Sequence, residues 1–202
     1  MPSFDIENTK HKQGFKYVCG IDEAGRGPLC GPVVAAACIL PPDIDIPRLN
    51  DSKKLSPKVR LQLFEQIKEK ALAYSIAFGT VDEINEINIL EATLLAMRRA
   101  VYNLAIKPDY LLVDGNIFRD FDIPGESVIK GDSISSSIAA ASILAKVTRD
   151  LLCDELDEKY PGYGIKQHKG YGTKFHMDAL RELGPTPCHR KQFIRFLDKA
   201  QI

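Results

Sequence analysis

The stretch YVCGIDEAGRGP, residues 17–28, decides how this chain folds. It is a short apolar run that ends in two adjacent carboxylates and a glycine-rich turn containing one arginine. Because successive side chains on a strand point to opposite faces, Asp22 and Glu23 can serve one site only if the strand stops there. The two glycines of the turn permit positive φ and close backbone approach. The stretch predicts a metal or phosphate site at a strand end, although a lone Asp-Glu pair is more often a solvated turn.

Two further apolar runs end in a carboxylate. YLLVDGN, residues 110–116, ends at Asp114, and SVIKGDS, residues 127–133, ends at Asp132. We expect three strands that each bring an acidic side chain to their carboxyl end. This constellation favours a site over a solvated turn.

Composition sets outer limits on the architecture and the compartment. The chain has 202 residues and is 45% hydrophobic, which predicts one folded domain or one domain with a small appendage. Charged residues interrupt every apolar run, so no membrane partner is expected. Residues 1–16 lack a signal-peptide core and are expected to form a flexible lead-in. The five cysteines show no CxxC spacing, and an odd number of them favours reduced thiols in the cytoplasm.

Charge is balanced overall but not along the chain. The sequence has 27 basic and 27 acidic residues, which argues against a protein that coats nucleic acid. From Lys159 to the end, however, nine basic residues face three acidic ones, an excess of six. A second basic cluster consists of Arg26, Lys53, Lys54, Lys58 and Arg60. Cations beside an acidic pocket suit a phosphodiester substrate.

Hydrophobic periodicity and turn residues divide the chain into elements. We expect early strands at 17–22, 33–40 and 74–81, and helices after Ser56-Pro57 and over 88–106, 133–160, 173–183 and 190–200. The small residues in the third of these helices should allow it to pack closely on the sheet. We assign 17–160 to a catalytic domain and 161–202 to a helical, substrate-binding extension of the same domain.

The acidic constellation suits a hard divalent ion. Oxygen-only ligation selects Mg²⁺ or Mn²⁺ over zinc. Two such ions about 4 Å apart can activate water and stabilise the leaving oxygen of an in-line phosphoryl displacement. The four histidines lack an HExxH pattern and are not assigned to the chemistry.

Six motifs occur together in one order along almost the whole chain. They are GIDEAGRGP (20–28), DSKKL (51–55), VDGN (113–116), KGD (130–132), AASILAKVTRD (140–150) and KGYGT (169–173). This ordered set resembles bacterial ribonuclease HII, a type 2 ribonuclease H. The resemblance implies an α/β, ribonuclease H-like fold with a mixed central sheet flanked by helices and a small C-terminal helical part. It also implies hydrolysis of RNA in RNA–DNA hybrids, and cutting 5′ to single ribonucleotides in duplex DNA to leave 3′-hydroxyl and 5′-phosphate ends.

The resemblance also implies site residues. The four acidic positions of the family, which are catalytic and bind the metal, fall on Asp22, Glu23, Asp114 and Asp132. The backbone of Gly25, Arg26 and Gly27 is implied to reach the 2′-hydroxyl, and Tyr171 to contact that hydroxyl and stack on the next sugar. Taken alone, Tyr171 would read as a turn tyrosine. Phosphate contacts are assigned to Lys53, Lys146 and Arg149, although exposed lysines are usually only solvated.

Two alternative functions fit the same sequence features, and the sequence also bears on a sliding-clamp contact and on the oligomeric state. A resolvase-like DNA nuclease would keep the fold and cut all-DNA duplexes equally well, and a non-catalytic module would bind hybrids without cutting them. The segment QFIRFL, residues 192–197, faintly resembles a sliding-clamp peptide, but a terminal helix that packs its apolar side chains on the domain explains it more simply. A clamp contact is therefore not expected, and we expect a monomer.

Overall fold

A five-stranded mixed sheet forms the centre of the protein. The structure is a computed structural model that describes residues 1–42 and 44–198. The strand order is β3-β2-β1-β4-β5, with antiparallel pairing among the first three strands and parallel pairing of β1 with β4 and of β4 with β5. The strands are β1 (Val18–Ala24), β2 (Val33–Ile39), β3 (Ala73–Gly79), β4 (Tyr110–Asp114) and β5 (Gly125–Val128).

Helices cover both faces of this sheet. One face packs on α3, and the other packs on α4, which is backed in turn by α2. The predicted arrangement of a mixed sheet flanked by helices is therefore present. The helices are α1 (Asp5–Lys12), α2 (Pro57–Lys70), α3 (Val81–Tyr102), α4 (Ser136–Lys159), α5 (Ile165–His168) and α6 (Lys174–Leu183).

The helix α4 lies unusually close to the sheet. A Cβ atom on Gly20 would lie 2.1 Å from the backbone carbon of Ser137, so only glycine fits on β1 at this point. The facing part of α4 is the run Ala139–Ala141, which is fully buried. The predicted close packing through small side chains is confirmed, and it brings α4 directly beneath the acidic end of β1.

The N-terminal segment is more ordered than the expected lead-in. Residues 5–12 form α1, and Glu7 on this helix is buried. A carboxylate oxygen of Glu7 accepts hydrogen bonds from Ser135 Oγ at 2.6 Å and from the Ser137 amide at 2.9 Å. A negative charge beside the first turn of α4 is favourable because the free amides of a helix point outward there.

The helix that was expected over 88–106 begins seven residues earlier and ends sooner. Thr80 and Glu83 form a capping box that starts α3 at Val81, so β3 stops at Gly79. Asn88 interrupts the helix with a φ of 71°, and its side chain caps the second part by accepting from the amides of Leu90 and Glu91. The expected cap at Asn88 is thus present, but it lies inside α3.

Two other expectations differ from the structure. Asp132 does not end a strand, because β5 stops at Val128 and Asp132 lies in a short 3-10 turn after Lys130, whose φ is 57°. The last helix, expected over 190–200, is not an α-helix up to residue 198, where a 3-10 turn at Lys191–Phe193 is followed by further turns. The end of that expected helix lies outside the described residues.

None of the helices in the described part of the chain has both the length and the apolar character that crossing a membrane requires.

Candidate active site

Asp22 and Asp114 come from neighbouring parallel strands. The register pairs Ile21 with Val113, so Asp22 and Asp114 follow it at matching positions. Side chains at matching positions of parallel strands point to the same face, which here is the face covered by α4. Ser142 of α4 lies near the Asp22 carboxylate and lowers its pKa, and Asp22 Oδ1 accepts the Glu23 amide at 2.7 Å. The Gly131 amide donates to Asp114 Oδ1 at 2.6 Å. The two carboxylates therefore belong to one site.

Glu23 joins this site, although β1 does not stop at Asp22. The sequence analysis had expected the strand to stop there. On its other side β1 stays paired with β2 as far as Ala24, so Asp22 and Glu23 point to opposite faces of the sheet. Both nevertheless line one cleft of about 400 Å³. The reason is that pairing with β4 ends at Ile21, which leaves this edge of β1 open on both faces.

The cleft does not contain all four acidic side chains. Asp114 lines an adjacent cleft of about 120 Å³, which shares Glu23 and Arg26 with the larger one. Asp132 lies close by, because Lys53 Nζ, which belongs to the larger cleft, is 3.9 Å from Asp132 Oδ2. Among the described residues, no three of these carboxylates have oxygens within 4.8 Å of one another. Mutual repulsion of like charges accounts for the wider spacing.

The electrostatics of the site favour a cation. Burial, reinforced by neighbouring carboxylates, raises the pKa of Asp22 well above its ordinary value. Burial also raises the pKa of Glu23, although the Arg26 guanidinium opposes this shift. The pKa of Asp132 is raised by burial and by nearby acidic groups. The donor set is entirely oxygen, so it fits a hard divalent ion that would offset this repulsion.

Lys53 and Arg26 are cations beside these carboxylates: Arg26 pairs with Glu23 at 3.3 Å, and Lys53 with Asp132 at 3.9 Å. Lys53 acts on several of them. Its side chain is exposed, and burial of its ammonium would by itself lower its pKa, but Asp132, Asp22 and other carboxylates raise the pKa by more. Asp51, which precedes it in the DSKKL motif, also acts on Asp132 and accepts the Lys53 amide at 2.9 Å. Asp51 is thus a fifth acidic residue near the site that was not assigned from the sequence.

The loop at residues 25–27 is held by a buried arginine that sequence analysis missed. Arg190 is completely buried and donates to the carbonyls of Gly25 at 2.6 Å, Arg26 at 2.9 Å and Pro28 at 2.8 Å. It also donates to Gly31 at 2.9 Å. Gly25 has a φ of 95°, a conformation that side chains other than glycine rarely adopt. The sequence analysis missed this contact because a basic residue among other charged residues is usually exposed to solvent.

Arg149 lines the large cleft but is buried beneath the loop. It is only 2% exposed, and its guanidinium donates to the carbonyl of Cys30 at 2.7 Å and to the thiol of Cys153. A Cβ atom on Gly25 would lie 2.7 Å from Arg149 Nε, so the arginine packs against the underside of the loop. Two of its guanidinium nitrogens are thus engaged within the protein, and Arg149 supports the loop from inside the cleft.

The other predicted substrate residues line the large cleft. Tyr171 is 52% exposed, and its ring carbon Cε1 lies 3.4 Å from the point where a Gly27 side chain would begin. Lys146 also lines the cleft and pairs with Asp150 at 2.6 Å. The loop, the tyrosine and all three predicted cations therefore line the cleft that contains Asp22 and Glu23.

Three of the four histidines lie behind Tyr171, which the lack of an HExxH pattern did not suggest. His176 and His189 are buried, and His168 stacks on His176 with ring centres 4.4 Å apart. The signal in the sequence for His168 and His176 was their position on either side of the glycine-tyrosine motif at 169–173, whereas His189 had no such signal.

Comparisons with known proteins agree with this arrangement. A family model described as Ribonuclease HII matches residues 19–196. The Ribonuclease HII of Desulfitobacterium hafniense (strain Y51) is 54% identical over 180 residues, which cover 89% of this chain and 69% of that protein. The Ribonuclease HII of Syntrophotalea carbinolica is 52% identical over 197 residues and covers 95% of this chain and 94% of that protein.

Solved structures support the predicted ribonuclease H-like fold. The ribonuclease H2 of Pyrococcus horikoshii OT3 matches with a TM-score of 0.75 and 28% identity, covering 92% of this chain and 98% of that one. A structure described as the PCNA:RNase HII complex from Archaeoglobus fulgidus matches with a TM-score of 0.73 and 26% identity, covering 88% and 95%.

Proposed function

The chain belongs to the ribonuclease HII family, and on that premise we propose that four acidic residues in and beside its cleft carry the family's reaction. The reaction is endonucleolytic hydrolysis of RNA in RNA–DNA hybrids and cutting on the 5′ side of single ribonucleotides in duplex DNA. The products carry 3′-hydroxyl and 5′-phosphate ends. The observation that carries the proposal is the placement of Asp22 and Asp114 at matching strand ends beside Glu23 and the loop at 25–27.

Asp22, Glu23 and Asp114 are proposed as the principal metal ligands, and Asp132 as the residue that completes the site. Their oxygen-only donor set favours Mg²⁺ or Mn²⁺. When bound, such ions supply an activated water and stabilise the leaving oxygen. The chain's own contribution is to hold the carboxylates: Asp22 through Ser142 and its own strand, and Asp114 through the Gly131 amide.

Recognition of ribose is assigned to the loop and the tyrosine. The 2′-hydroxyl is the only group that distinguishes the sugar of a ribonucleotide from that of a deoxyribonucleotide. A protein that recognises one ribonucleotide in DNA must therefore contact this hydroxyl closely. Gly27 is exposed and leaves the backbone of the loop open to such an approach, and Tyr171 borders it. We propose that this backbone and Tyr171 contact the hydroxyl.

Lys53 and Lys146 are proposed as contacts to the substrate phosphates. Both line the cleft, and Lys169, which pairs with Asp154 at 2.6 Å, lines it as well. Phosphate contacts by lysine set position and affinity without reading sequence. Arg149 is assigned instead to the support of the loop, for the reason of burial given above.

Substitution of the acidic residues tests the assignment. Asp22→Asn and Asp114→Asn should fold normally and lose cutting of a duplex that contains one ribonucleotide. Asp122→Asn, a change at an exposed aspartate that lines neither active-site cleft, is the matched control and should cut at the wild-type rate. Full activity in Asp22→Asn or Asp114→Asn, measured with Mg²⁺ and with Mn²⁺, would contradict the assignment.

We also propose that residues 161–202 serve as the substrate-binding part of the same domain. Tyr171 borders the cleft, and Arg190 holds the loop at 25–28, so this part of the chain contacts the catalytic part directly. A monomer is proposed as well, and light scattering at micromolar concentration would reveal a dimer instead.

Compartment and clamp binding remain proposals. All five cysteines lie in the described part of the chain, and none of them is in a disulfide, which fits a reducing compartment such as the cytoplasm. Phe193, Phe196 and Leu197 of the clamp-like segment pack against the protein's own apolar clusters. This packing supports our expectation that no clamp contact is made, and a pull-down with a purified sliding clamp would test it.

A further inference from the structure

A chain of hydrogen bonds connects the C-terminal region to the backbone of Tyr171. His176 Nδ1 lies 3.0 Å from the carbonyl oxygen of Tyr171. On the other side of the ring, His176 Nε2 lies 3.1 Å from His189 Nε2. His189 Nδ1 accepts the amide hydrogen of Thr186 at 3.1 Å. Both imidazoles are buried, so these contacts are shielded from water.

The ends of this chain assign a tautomer to each histidine. The carbonyl of Tyr171 can only accept, so His176 carries its hydrogen on Nδ1. The amide of Thr186 can only donate, so His189 Nδ1 carries no hydrogen and its Nε2 does. The two facing nitrogens then pair correctly, with His189 donating to His176. Burial lowers the pKa of His176 to about 4, which keeps it neutral.

A metal site is the alternative use of the same atoms. Cys30 Sγ lies with the facing nitrogens of His176 and His189 in a group whose members are all within 4.8 Å of one another. A nitrogen that binds a metal must offer a lone pair. In neutral His189, however, Nδ1 accepts the Thr186 amide hydrogen, so the one ring hydrogen is on Nε2 and that nitrogen has no free lone pair. The hydrogen-bond chain therefore accounts for the contacts of both rings, and a metal would require His189 to lose its last ring hydrogen.

A third histidine holds the same segment from the other side. The backbone carbonyl of His168 accepts a hydrogen bond from the Tyr171 amide at 3.0 Å. The ring nitrogen Nδ1 of His168 accepts one from the Gly170 amide at 3.2 Å. His168 Nε2 in turn donates to the carbonyl of Tyr163 at 2.8 Å. Because His168, which is partly buried, also stacks on the buried His176, the backbone on both sides of Tyr171 is bound to one histidine cluster.

We propose that His176 and His189 are positioning residues that hold Tyr171 over the loop at 25–27. This inference rests on the proposed role of Tyr171 in reading the ribose. The side chain of Tyr171 is half exposed, so its direction depends on how its backbone is held. The carbonyl of Tyr171 also accepts the Thr173 amide at 2.8 Å, so loss of the histidine contact should loosen the tyrosine without unfolding the segment.

The first experiment examines the wild-type protein. Long-range ¹H–¹⁵N NMR distinguishes the two neutral tautomers of histidine. We expect the hydrogen on Nδ1 of His176 and on Nε2 of His189 at pH 7. The opposite tautomer in either ring, or one equivalent of zinc retained by the purified chain on these residues, would overturn the proposal, and this test requires no variant to fold.

The second experiment uses two matched variants at one position. An asparagine amide can take the place of Nδ1, and a glutamine amide can take the place of Nε2. His176→Asn should therefore keep the bond to Tyr171 and lose the one to His189, whereas His176→Gln should do the reverse. We expect His176→Gln to lower kcat on a lone ribonucleotide about tenfold, and His176→Asn to lower it less. Equal losses in kcat would overturn the proposal.

A double-mutant comparison separates positioning from general destabilisation. Tyr171→Ala removes the side chain that His176 is proposed to orient, so His176→Gln should have little further effect in that background. Full additivity of the two losses would overturn the proposal while leaving the role of Tyr171 intact. Unchanged cutting by Tyr171→Ala alone would overturn both. Loss of cutting in Asp22→Asn tests the proposed reaction independently of either result.

Discussion

Replacement of Arg190 by lysine should weaken both the fold and the ribose-reading loop. The guanidinium makes four hydrogen bonds to backbone carbonyls between Gly25 and Gly31, and it is fully buried. An ammonium has three donors at a single point, so we expect it to keep about two of these bonds. Each carbonyl left without a partner costs about 1–3 kcal/mol, so the loss of two bonds should lower the free energy of unfolding by about 2–6 kcal/mol.

Urea unfolding and cleavage kinetics measure the two effects. Arg190→Lys should remain folded in buffer, unfold at a lower urea concentration and cut a lone ribonucleotide roughly 100-fold more slowly, because small displacements in a binding loop have large effects on rate. Arg181→Lys is the matched control, since Arg181 is exposed and its contacts, an ion pair with Asp178 and the ring of Phe196, lie at the surface and can be made by lysine as well. Wild-type stability together with wild-type cutting in Arg190→Lys would refute the reasoning.

Three further substitutions test other parts of the structure by urea unfolding. In EDTA at pH 7, Asp22→Asn should be about 1 kcal/mol more stable than the wild type, because a carboxyl with a raised pKa destabilises the fold once it ionises. The variant should also lose the stabilisation that Mn²⁺ gives the wild type. A variant less stable than the wild type in EDTA would contradict this reasoning. Gly20→Ala should lose about 3 kcal/mol or more, because its Cβ would lie 2.1 Å from the backbone of Ser137, and a loss below about 1 kcal/mol would show that the helix can move away. Glu83→Gln should lose roughly 0.5–1 kcal/mol at neutral pH, because Arg99 lowers the pKa of Glu83 to about 2. That stabilisation is complete above the ordinary value of 4.5 and fades as the pH falls towards 2, so a difference that persists at pH 2 would be inconsistent with the ion pair.

The sequence located the acidic residues of β1 and β4 because their signal is local. An apolar run followed by an acidic residue is typical of a strand near its end, and this pattern located Asp22 and Asp114, the second of which is the last residue of β4. It failed for Asp132, which follows β5 by a short turn rather than ending it. It also missed the continuation of β1 beyond Asp22, because pairing with β2 on one side alone maintains the strand.

The buried charges of the C-terminal part could not be predicted in the same way. Arg190 contacts residues more than 150 positions earlier in the chain, and a single arginine among other charges reads as solvated. The burial of Arg149 could not be predicted either, because its place in a motif favoured a phosphate contact. The histidines around Tyr171 carry no periodic signal, since their partners are backbone groups of loops. Long-range polar contacts of this kind become visible only in three dimensions.

The central claim is that the acidic cleft, with divalent ions, cuts nucleic acid where a ribose 2′-hydroxyl is present. Two duplexes that differ only in that hydroxyl, incubated in Mg²⁺, in Mn²⁺ and in EDTA, test it most directly. We predict one cut, on the 5′ side of the ribonucleotide, with a 3′-hydroxyl end, in either metal and none in EDTA. Equal cutting of the all-DNA duplex, or tight binding without cutting in the presence of both metals, would contradict the claim.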